Sequence, residues 1–219
     1  MRRPEFIARQ SRRPRGVLGW LIGHIMSFET ASTNGQALAL LELKAGDRVL
    51  DVGCGHGRTV ERAAQMVGED GLVVGIDASD EMVRMATRRC QRLIDAGRVR
   101  LTLADSASIP YPDESFDKVV TVHTIYFWDD PRRHLRELYR VMRVGGRLVV
   151  GFHAKETAVA AGFPDSVYSF YRVQEVGGML RDAGFHDVDC GRSVGQATLG
   201  CARRSRDTTS PASDGPSRP

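Results

Sequence analysis

The segment that most constrains the fold is RVLDVGCGHGRTVERAA, residues 48–64, in which three alternate glycines separate an apolar run from a helix-like stretch. Glycine adopts positive φ without a steric penalty and lets the backbone approach a ligand closely. A strand that enters such a turn and continues as a helix is typical of an α/β fold with an anion or nucleotide bound at the turn. Arg58 stands where the dinucleotide fingerprint GxGxxG has its last glycine, so that fingerprint is incomplete.

Strand-like and helix-like segments alternate along most of the chain. Helices are predicted over about 30–41, 57–67, 79–94, 131–142 and 172–182. Strands are predicted in RVLDVG, LVVGID, RVRLTLAD, FDKVVTVH and VGGRLVVGFH, followed by two short strands at about 187–190 and 196–202. The middle strands are nearly continuous apolar runs. This predicts a parallel sheet covered on both faces, with the last two strands forming an antiparallel edge.

The chain divides into three parts on composition. Residues 1–44 form a basic segment with lid helices, residues 45–203 a single ligand-binding domain, and residues 204–219 a tail rich in Ser, Pro and Arg that is predicted to be disordered. The apolar stretch Val17–Phe28 is predicted to be a helix and is too short to span a bilayer. The solvated face of the helix that begins at Pro131 is predicted to consist of Arg132, Arg133, Arg136 and Arg140.

The positive charge of the chain lies at its two ends. The net charge is +4, but residues 1–16 hold six Arg and one Glu, and residues 203–219 hold four Arg and two Asp. The part between them is slightly acidic, which argues against nucleic acid as the partner. The four cysteines are far apart and form no CxxC pair. This pattern favours a reducing cytoplasm over a disulfide scaffold, and no metal site is expected around Cys54 and His56.

An acid closes each of three successive predicted strands: Asp51, Asp77 and Asp105. Because the carboxyl ends of parallel strands meet at one edge of a sheet, these acids should share a pocket beside the glycine turn. A carboxylate at Asp51 suits a cation better than a diphosphate. Asp77 is placed to accept hydrogen bonds from both hydroxyls of a ribose, and Asp105 from an adenine amino group. The pattern predicts a positively charged adenosine compound, for which S-adenosylmethionine, a sulfonium, is the obvious candidate.

The same residues carry a family resemblance. Through the ordered segments VLDVGCGHG, GIDASDEMV, ADSASIPYPDESFDKVV, TIYFWDDPRRHLRELYRVMRVGGRLVV and DAGFHDV, the chain resembles the class I S-adenosylmethionine-dependent methyltransferases. It is similar to their small-molecule group, which includes ubiquinone/menaquinone-type enzymes, over roughly residues 45–190. The resemblance implies a three-layer Rossmann-like fold with a seven-stranded, mostly parallel sheet and an antiparallel last strand. It also implies S-adenosylmethionine as the cofactor.

The resemblance assigns a site position by position. The implied cofactor-binding residues are Asp51, Gly53, Gly55 and Gly57 at the methionine part, Asp77, Ala78 and Met82 at the ribose, Asp105 and Ser106 at the adenine, and His123 near the methyl group. His123 is also the candidate general base, with orientation of the methionine part or of the loop as the alternative. The aromatic residues predicted to bind the acceptor are Tyr126, Trp128, Phe163 and Tyr168.

The sequence thus predicts a cytoplasmic methyltransferase that acts on a small or medium-sized, partly apolar acceptor through O, N, C or S. Four alternatives stay open. They are a lipid or quinone methyltransferase docked on a membrane through the Val17–Phe28 helix, an NAD(P)-dependent oxidoreductase, a nucleic-acid methyltransferase that uses the basic ends, and a binding protein without catalysis. The sequence does not decide the acceptor, the oligomeric state or the need for a general base.

Overall fold

The computed structural model describes residues 5–12, 16, 30–157 and 160–205. The predicted helix over Val17–Phe28 and residues 206–219 of the tail lie outside the described residues. The predictions of a lid, a membrane contact and a disordered tail therefore stay predictions. In the described part of the chain, no helix is both long enough and apolar enough to cross a bilayer.

Within the described residues, seven strands form a single sheet. They are β1 (Arg48–Val52), β2 (Leu72–Asp77), β3 (Val99–Leu103), β4 (Phe116–Val122), β5 (Met142–Phe152), β6 (Phe185–Val194) and β7 (Ala197–Arg204). Their order across the sheet is 3-2-1-4-5-7-6. Strands β1 to β5 pair in parallel, whereas β7 runs antiparallel to both β5 and β6. This confirms the predicted Rossmann-like sheet with a reversed last strand.

Helices cover both faces of the sheet. They are α1 (Glu5–Arg12), α2 (Ala31–Leu41), α3 (Arg58–Val67), α4 (Asp80–Asp95), α5 (Pro131–Val141) and α6 (Val173–Asp182), with short 3-10 turns at Ile125–Phe127 and Ala160–Gly162. Along β1, Val49 belongs to the apolar core that includes α2 and α3, and Leu50 to the core that includes α5 and α6. Burial on both faces explains why the central strands read as continuous apolar runs.

The last two strands are longer than predicted. β6 spans Phe185–Val194, where only 187–190 was expected, and β7 extends to Arg204. β6 is an edge strand whose register shifts at two points along its pairing with β7. Most of its side chains are wholly or partly exposed. A half-exposed strand with register shifts does not alternate regularly between apolar and polar residues. Only a short part of β6 therefore shows a strand-like pattern in the sequence.

Local chemistry sets the starts of two helices beside the sheet edge that carries the site. Ser79 Oγ accepts a hydrogen bond from the backbone N–H of Met82 at 3.4 Å, which caps α4 as predicted. Pro131 is the first residue of α5, and the carboxylate of Asp130 accepts from the next two backbone N–H groups. Both helices therefore begin immediately after loops that leave the carboxyl edge of the sheet.

Arg140 departs from the predicted solvated face of α5. Its guanidinium pairs with Glu137 and Asp113, each at 2.8 Å. It also donates to the carbonyl oxygens of Ile109 at 3.0 Å and Tyr111 at 2.9 Å. The prediction was wrong for this residue, because three of its partners, Ile109, Tyr111 and Asp113, lie 27 to 31 positions earlier in the chain. Arg140 fixes the loop between β3 and β4 against α5.

Candidate active site

A cavity of about 630 Å³ opens at the carboxyl ends of β1 to β4. Its volume lies in the range found for small-molecule and cofactor sites. The predicted site residues that line it are Asp51, Gly53, Gly55, Asp77, Ala78, Met82, Asp105, Ser106, His123 and Trp128. The other four predicted residues, Gly57, Tyr126, Phe163 and Tyr168, are not part of its wall. The parallel strand order thus brings side chains from four separate segments to one cavity.

The three glycines of the turn after β1 have different surroundings. All three have positive φ: +73° at Gly53, +54° at Gly55 and +85° at Gly57. A Cβ on Gly53 would overlap the Cγ2 atom of Thr124, whereas a Cβ on Gly55 would meet no atom within 4 Å. A Cβ on Gly57 would lie 2.9 Å from the Cβ of Ala86 on α4. Gly55 therefore offers bare backbone to the cavity, and Gly57 allows α3 and α4 to pack closely.

Asp77 holds the glycine turn in place. One carboxylate oxygen accepts from the backbone N–H of Gly55 at 2.9 Å, and the other from the N–H of Ser79 at 2.8 Å. Burial raises the pKa of Asp77, and these two hydrogen bonds oppose that shift. Each carboxylate oxygen has a second lone pair, so Asp77 can still accept from a ligand in the cavity.

Asp51 is a buried acid with an unsatisfied oxygen. Its exposed fraction is 4%, and its Oδ2 atom has no hydrogen-bond partner among the described residues. Burial, and then the nearby charge of Asp77, raise the pKa of Asp51 to about 7. A buried carboxylate is costly unless a partner compensates it. Two neighbouring acids in one cavity wall therefore suit a ligand that brings positive charge.

A histidine that the sequence analysis missed stands at the other end of the cavity. His134 lies on α5 with its side chain 5% exposed, and its ring stacks on Trp128 with centroids 4.8 Å apart. Its Nδ1 atom is 2.7 Å from Ser106 Oγ, and its Nε2 atom is 3.2 Å from Asp129 Oδ1. The available signal was its place on the buried side of α5 together with Leu135, Leu138 and Val141.

His123 follows β4 in a strained left-handed conformation, with φ of +59°. Its Nδ1 atom is 2.7 Å from the hydroxyl oxygen of Tyr126, which also accepts from the backbone N–H of His153 at 2.7 Å. The Tyr126 hydroxyl can donate its one proton to Nδ1, and in that arrangement the proton of a neutral imidazole lies on Nε2. Burial, and then the adjacent His153, lower the pKa of His123 to about 3.

The predicted acceptor-binding aromatics fall into two groups. Trp128 lines the cavity together with Phe127, a neighbour that the prediction left out. Tyr126, Phe163 and Tyr168 pack against one another behind the wall, with ring centroids 4.7 Å apart for Phe163 and Tyr168 and 6.0 Å apart for Tyr126 and Tyr168. This second group supports the wall from the side of the segment that follows β5.

Cys54 and His56, around which no metal site is expected, lie in the glycine turn after β1. Cys54 is buried in the apolar core with α2 and α3, and burial raises the pKa of its thiol well above the ordinary value. Both Cys54 and His56 line the cavity. Within the described ranges, no three His, Cys, Asp or Glu side chains are grouped so that they could hold a metal ion.

Comparison with known proteins gives consistent matches. Residues 50–150 match a family profile described as a methyltransferase domain. The chain is 39% identical over 112 residues to the 27-O-demethylrifamycin SV methyltransferase of Amycolatopsis mediterranei, across 51% of this chain and 40% of that protein. It is 28% identical over 155 residues to a ubiquinone/menaquinone biosynthesis C-methyltransferase of Edwardsiella ictaluri, across 71% of this chain and 60% of that protein. The chain thus spans less than two thirds of the length of these two curated relatives.

A solved structure shows the same architecture. The SAM dependent methyltransferase from Aquifex aeolicus superposes with a TM-score of 0.69 and 29% identity, across 80% of this chain and 92% of that one. The shared fold extends beyond the segment matched by the family profile, because it includes most of the described residues.

Proposed function

We propose that the chain is a class I S-adenosylmethionine-dependent methyltransferase, in keeping with the methyltransferase domain profile that it matches and the fold that it shares, and that it methylates a small or medium-sized, partly apolar acceptor at an O, N, C or S atom. The observation that carries the proposal is the unsatisfied buried oxygen of Asp51 in a cavity that also holds Asp77. S-adenosylmethionine carries a sulfonium and an ammonium, and either cation would compensate this carboxylate.

The cavity wall fits the parts of this cofactor in order along the sheet edge. We assign Asp51, Gly53 and Gly55 to the methionine part, since Gly55 presents open backbone there. Asp77, with Ala78 and Met82 beside it, is assigned to the ribose hydroxyls. Asp105 and Ser106 are assigned to the adenine. Gly57 supports the turn from behind, where it faces Ala86.

The chemistry requires alignment more than proton transfer. When bound, S-adenosylmethionine supplies an electrophilic methyl group, and its sulfur departs as a neutral sulfide. The cavity wall contributes by holding the acceptor in line and by limiting its motion. His123 is assigned as a hydrogen-bond donor through Nε2–H, because a group with a pKa of about 3 is a weak base at neutral pH. This supports the orienting role over the general-base role.

The cavity wall and the names of the relatives both support an acceptor with an apolar portion. Phe127 and Trp128 give the cavity an aromatic wall, which favours an apolar or aromatic portion on the acceptor. The names of the two curated relatives refer to 27-O-demethylrifamycin SV and to the biosynthesis of ubiquinone and menaquinone. The cytoplasmic location, the three-part division of the chain and the membrane alternative stay predictions.

Binding of the cofactor is the direct test of the proposal. Titration calorimetry of the full chain with S-adenosylmethionine and with S-adenosylhomocysteine should give one site of micromolar affinity for each. NADH serves as the comparison ligand and should not bind. Absence of binding to both sulfur compounds would overturn the proposal, and saturable NADH binding in their place would favour the oxidoreductase. A screen of apolar acceptors, read as release of S-adenosylhomocysteine, then identifies the substrate.

The affinity for S-adenosylmethionine should depend on pH through Asp51. A cation binds the ionised carboxylate, and the pKa of Asp51 is about 7 before binding. The dissociation constant should therefore rise by up to about tenfold for each pH unit below 7 and level off above it. In Asp51→Asn the dissociation constant should depend much less on pH. Titration of the ligand affects both proteins equally, so the difference between their pH profiles reports on Asp51. Equal slopes in the two proteins would contradict the assignment.

The Asp51 carboxyl should also make the stability of the ligand-free protein depend on pH, with higher stability at low pH. A raised pKa means that the folded state binds the proton more tightly than the unfolded state. The free energy of unfolding should therefore decrease as pH rises from about 4 to about 7, through the interval between the ordinary value of 3.8 and the raised one. Denaturant titrations at several pH values should show a smaller decrease in Asp51→Asn.

The protonation of His123 can be measured without an acceptor. Nitrogen-detected NMR of the histidine rings should show His123 as the neutral Nε2–H tautomer from about pH 5 to pH 8, since its pKa is about 3. Tyr126→Phe removes the donor to Nδ1 and should shift the tautomer equilibrium while the ring stays neutral. A midpoint between pH 6 and pH 7 for His123 in the unaltered protein would restore it as a general base.

A further inference from the structure

Three side chains form a hydrogen-bonded series along the cavity wall beyond the end of β3. Asp129 Oδ1 is 3.2 Å from His134 Nε2, and His134 Nδ1 is 2.7 Å from Ser106 Oγ. All three residues line the cavity. The His134 ring lies nearly parallel to Trp128, with 4° between the planes, and this stacking fixes the plane of the imidazole.

Asp129 and Ser106, at the two ends of the series, determine which atom donates each hydrogen bond. A carboxylate can only accept, and the hydrogen bond from His134 lowers the pKa of Asp129. The proton of the neutral imidazole therefore lies on Nε2, and Nδ1 has a bare lone pair. Ser106 has a single hydroxyl proton, which it donates to Nδ1. Toward a ligand, Ser106 Oγ can then only accept a hydrogen bond.

Asp105 does not disturb this arrangement. Its Oδ1 atom lies 4.0 Å from His134 Nδ1, beyond hydrogen-bond distance, and accepts instead from the backbone N–H of Ala107 at 2.8 Å. Asp105 also lines the cavity. The wall beyond β3 thus presents two acceptors to a ligand, the carboxylate of Asp105 and the hydroxyl of Ser106.

We propose that His134 is a positioning residue that holds Ser106 Oγ as a hydrogen-bond acceptor and thereby selects a purine with a 6-amino group over one with a 6-oxo group. The proposal rests on the proposed function, which places the base of the cofactor at this end of the cavity. An oxygen at position 6 is itself an acceptor, so it would face Ser106 and Asp105 without a proton between them.

The position of the base follows from strand spacing and from one exposed apolar residue. Neighbouring strands lie about 4.8 Å apart, so a ligand anchored at β1 reaches the end of β3 after about 10 Å. At that point Leu103 lines the cavity with 53% of its surface exposed. An apolar side chain at the cavity mouth offers a surface for the face of a planar base.

The test compares two ligands that differ at position 6 of the purine. S-adenosyl-L-homocysteine and S-inosyl-L-homocysteine are titrated calorimetrically into the full chain and three variants at about pH 8.5, where imidazole itself is neutral. His134→Phe keeps a ring to stack on Trp128 but removes the acceptor for Ser106. Ser106→Ala removes the hydroxyl. His134→Asn keeps an acceptor close to the position of Nδ1 and is the conservative control.

The expected readout is the ratio of the two dissociation constants, which a purely structural role of His134 would leave unchanged. The unaltered protein should favour the adenosyl compound by about 100-fold. In His134→Phe the freed Ser106 hydroxyl can rotate and donate to the 6-oxo group, so the ratio should fall about tenfold. It should fall in Ser106→Ala as well and be largely retained in His134→Asn. Asp105 keeps the ratio above one in each variant.

Each other outcome overturns the inference. An unchanged ratio in His134→Phe and in Ser106→Ala would show that the series does not read the base. If His134→Phe fails to fold, His134→Leu, which also removes the acceptor for Ser106, takes its place, and an unchanged ratio in that variant overturns the role of His134. If the unaltered protein binds neither compound, the proposed function fails together with this inference, and that result differs from binding with an unchanged ratio.

Discussion

Asp77→Ala is expected to reduce the affinity for S-adenosylmethionine by at least about 100-fold. The substitution removes the carboxylate assigned to the ribose hydroxyls. It also releases the backbone N–H groups of Gly55 and Ser79, which Asp77 now holds at 2.9 Å and 2.8 Å. The turn that presents Gly55 to the methionine part then loses its anchor. Calorimetric titration of the variant measures the combined effect.

The stability of the same variant should change much less than its affinity. Loss of the two hydrogen bonds destabilises the fold, but removal of a buried carboxylate with a raised pKa offsets part of that cost. The free energy of unfolding should change by less than about 2 kcal/mol. Asp80→Ala is the matched control, since Asp80 lies three residues further on and is 61% exposed in an ion pair with Arg84. Equal affinity losses in the two variants would contradict the role of Asp77.

Gly53→Ala should destabilise the fold by about 3 to 5 kcal/mol, the range expected for backbone strain combined with overpacking. Gly53 has φ of +73°, and an added Cβ would overlap Thr124 Cγ2. The backbone of Gly53 is also fixed on the other side, because its N–H donates to the carbonyl oxygen of Ile76 at 2.8 Å. The residue cannot move away from Thr124 without breaking this bond. Denaturant unfolding measures the effect.

Two further variants separate the clash from the strain in the backbone. Gly145→Ala has a similar φ, +78°, but no atom within 4 Å of the new Cβ, so it should cost only about 1 kcal/mol. Adding Thr124→Ser to Gly53→Ala removes Cγ2 and keeps the hydroxyl that hydrogen-bonds Thr121. The double variant should recover at least half of the lost stability. No recovery would mean that the strain at Gly53, and not the contact with Thr124, dominates.

The residues that the sequence predicted well share one property: they follow the ends of strands. Asp51, Asp77 and Asp105 were expected in one pocket because parallel strands place their carboxyl ends at one edge, and all three line the cavity. The turn glycines were visible because few other residues adopt positive φ. The assignment of each acid to a part of the cofactor stays a prediction until binding is measured.

The contacts that the sequence did not reveal join distant segments. His134 meets Ser106 across 28 positions in the chain, and the Tyr126 hydroxyl meets the backbone of His153 across 27. Neither contact has a periodic or local signature, because it arises only when α5 and β5 pack beside the strand ends. Arg140 was misassigned to the solvated face of its helix for the same reason.

The sequence by itself determined the order of the elements, the two-sided burial of the sheet and the cluster of acids and glycines at one edge. These features follow from hydrophobic periodicity and from backbone conformations that few residue types can adopt. Only the tertiary structure decided which polar atoms meet: it leaves one oxygen of Asp51 without a partner, and it brings His123 to the Tyr126 hydroxyl and Ser106 to His134. These contacts depend on burial and on partners from distant segments, which no local pattern encodes.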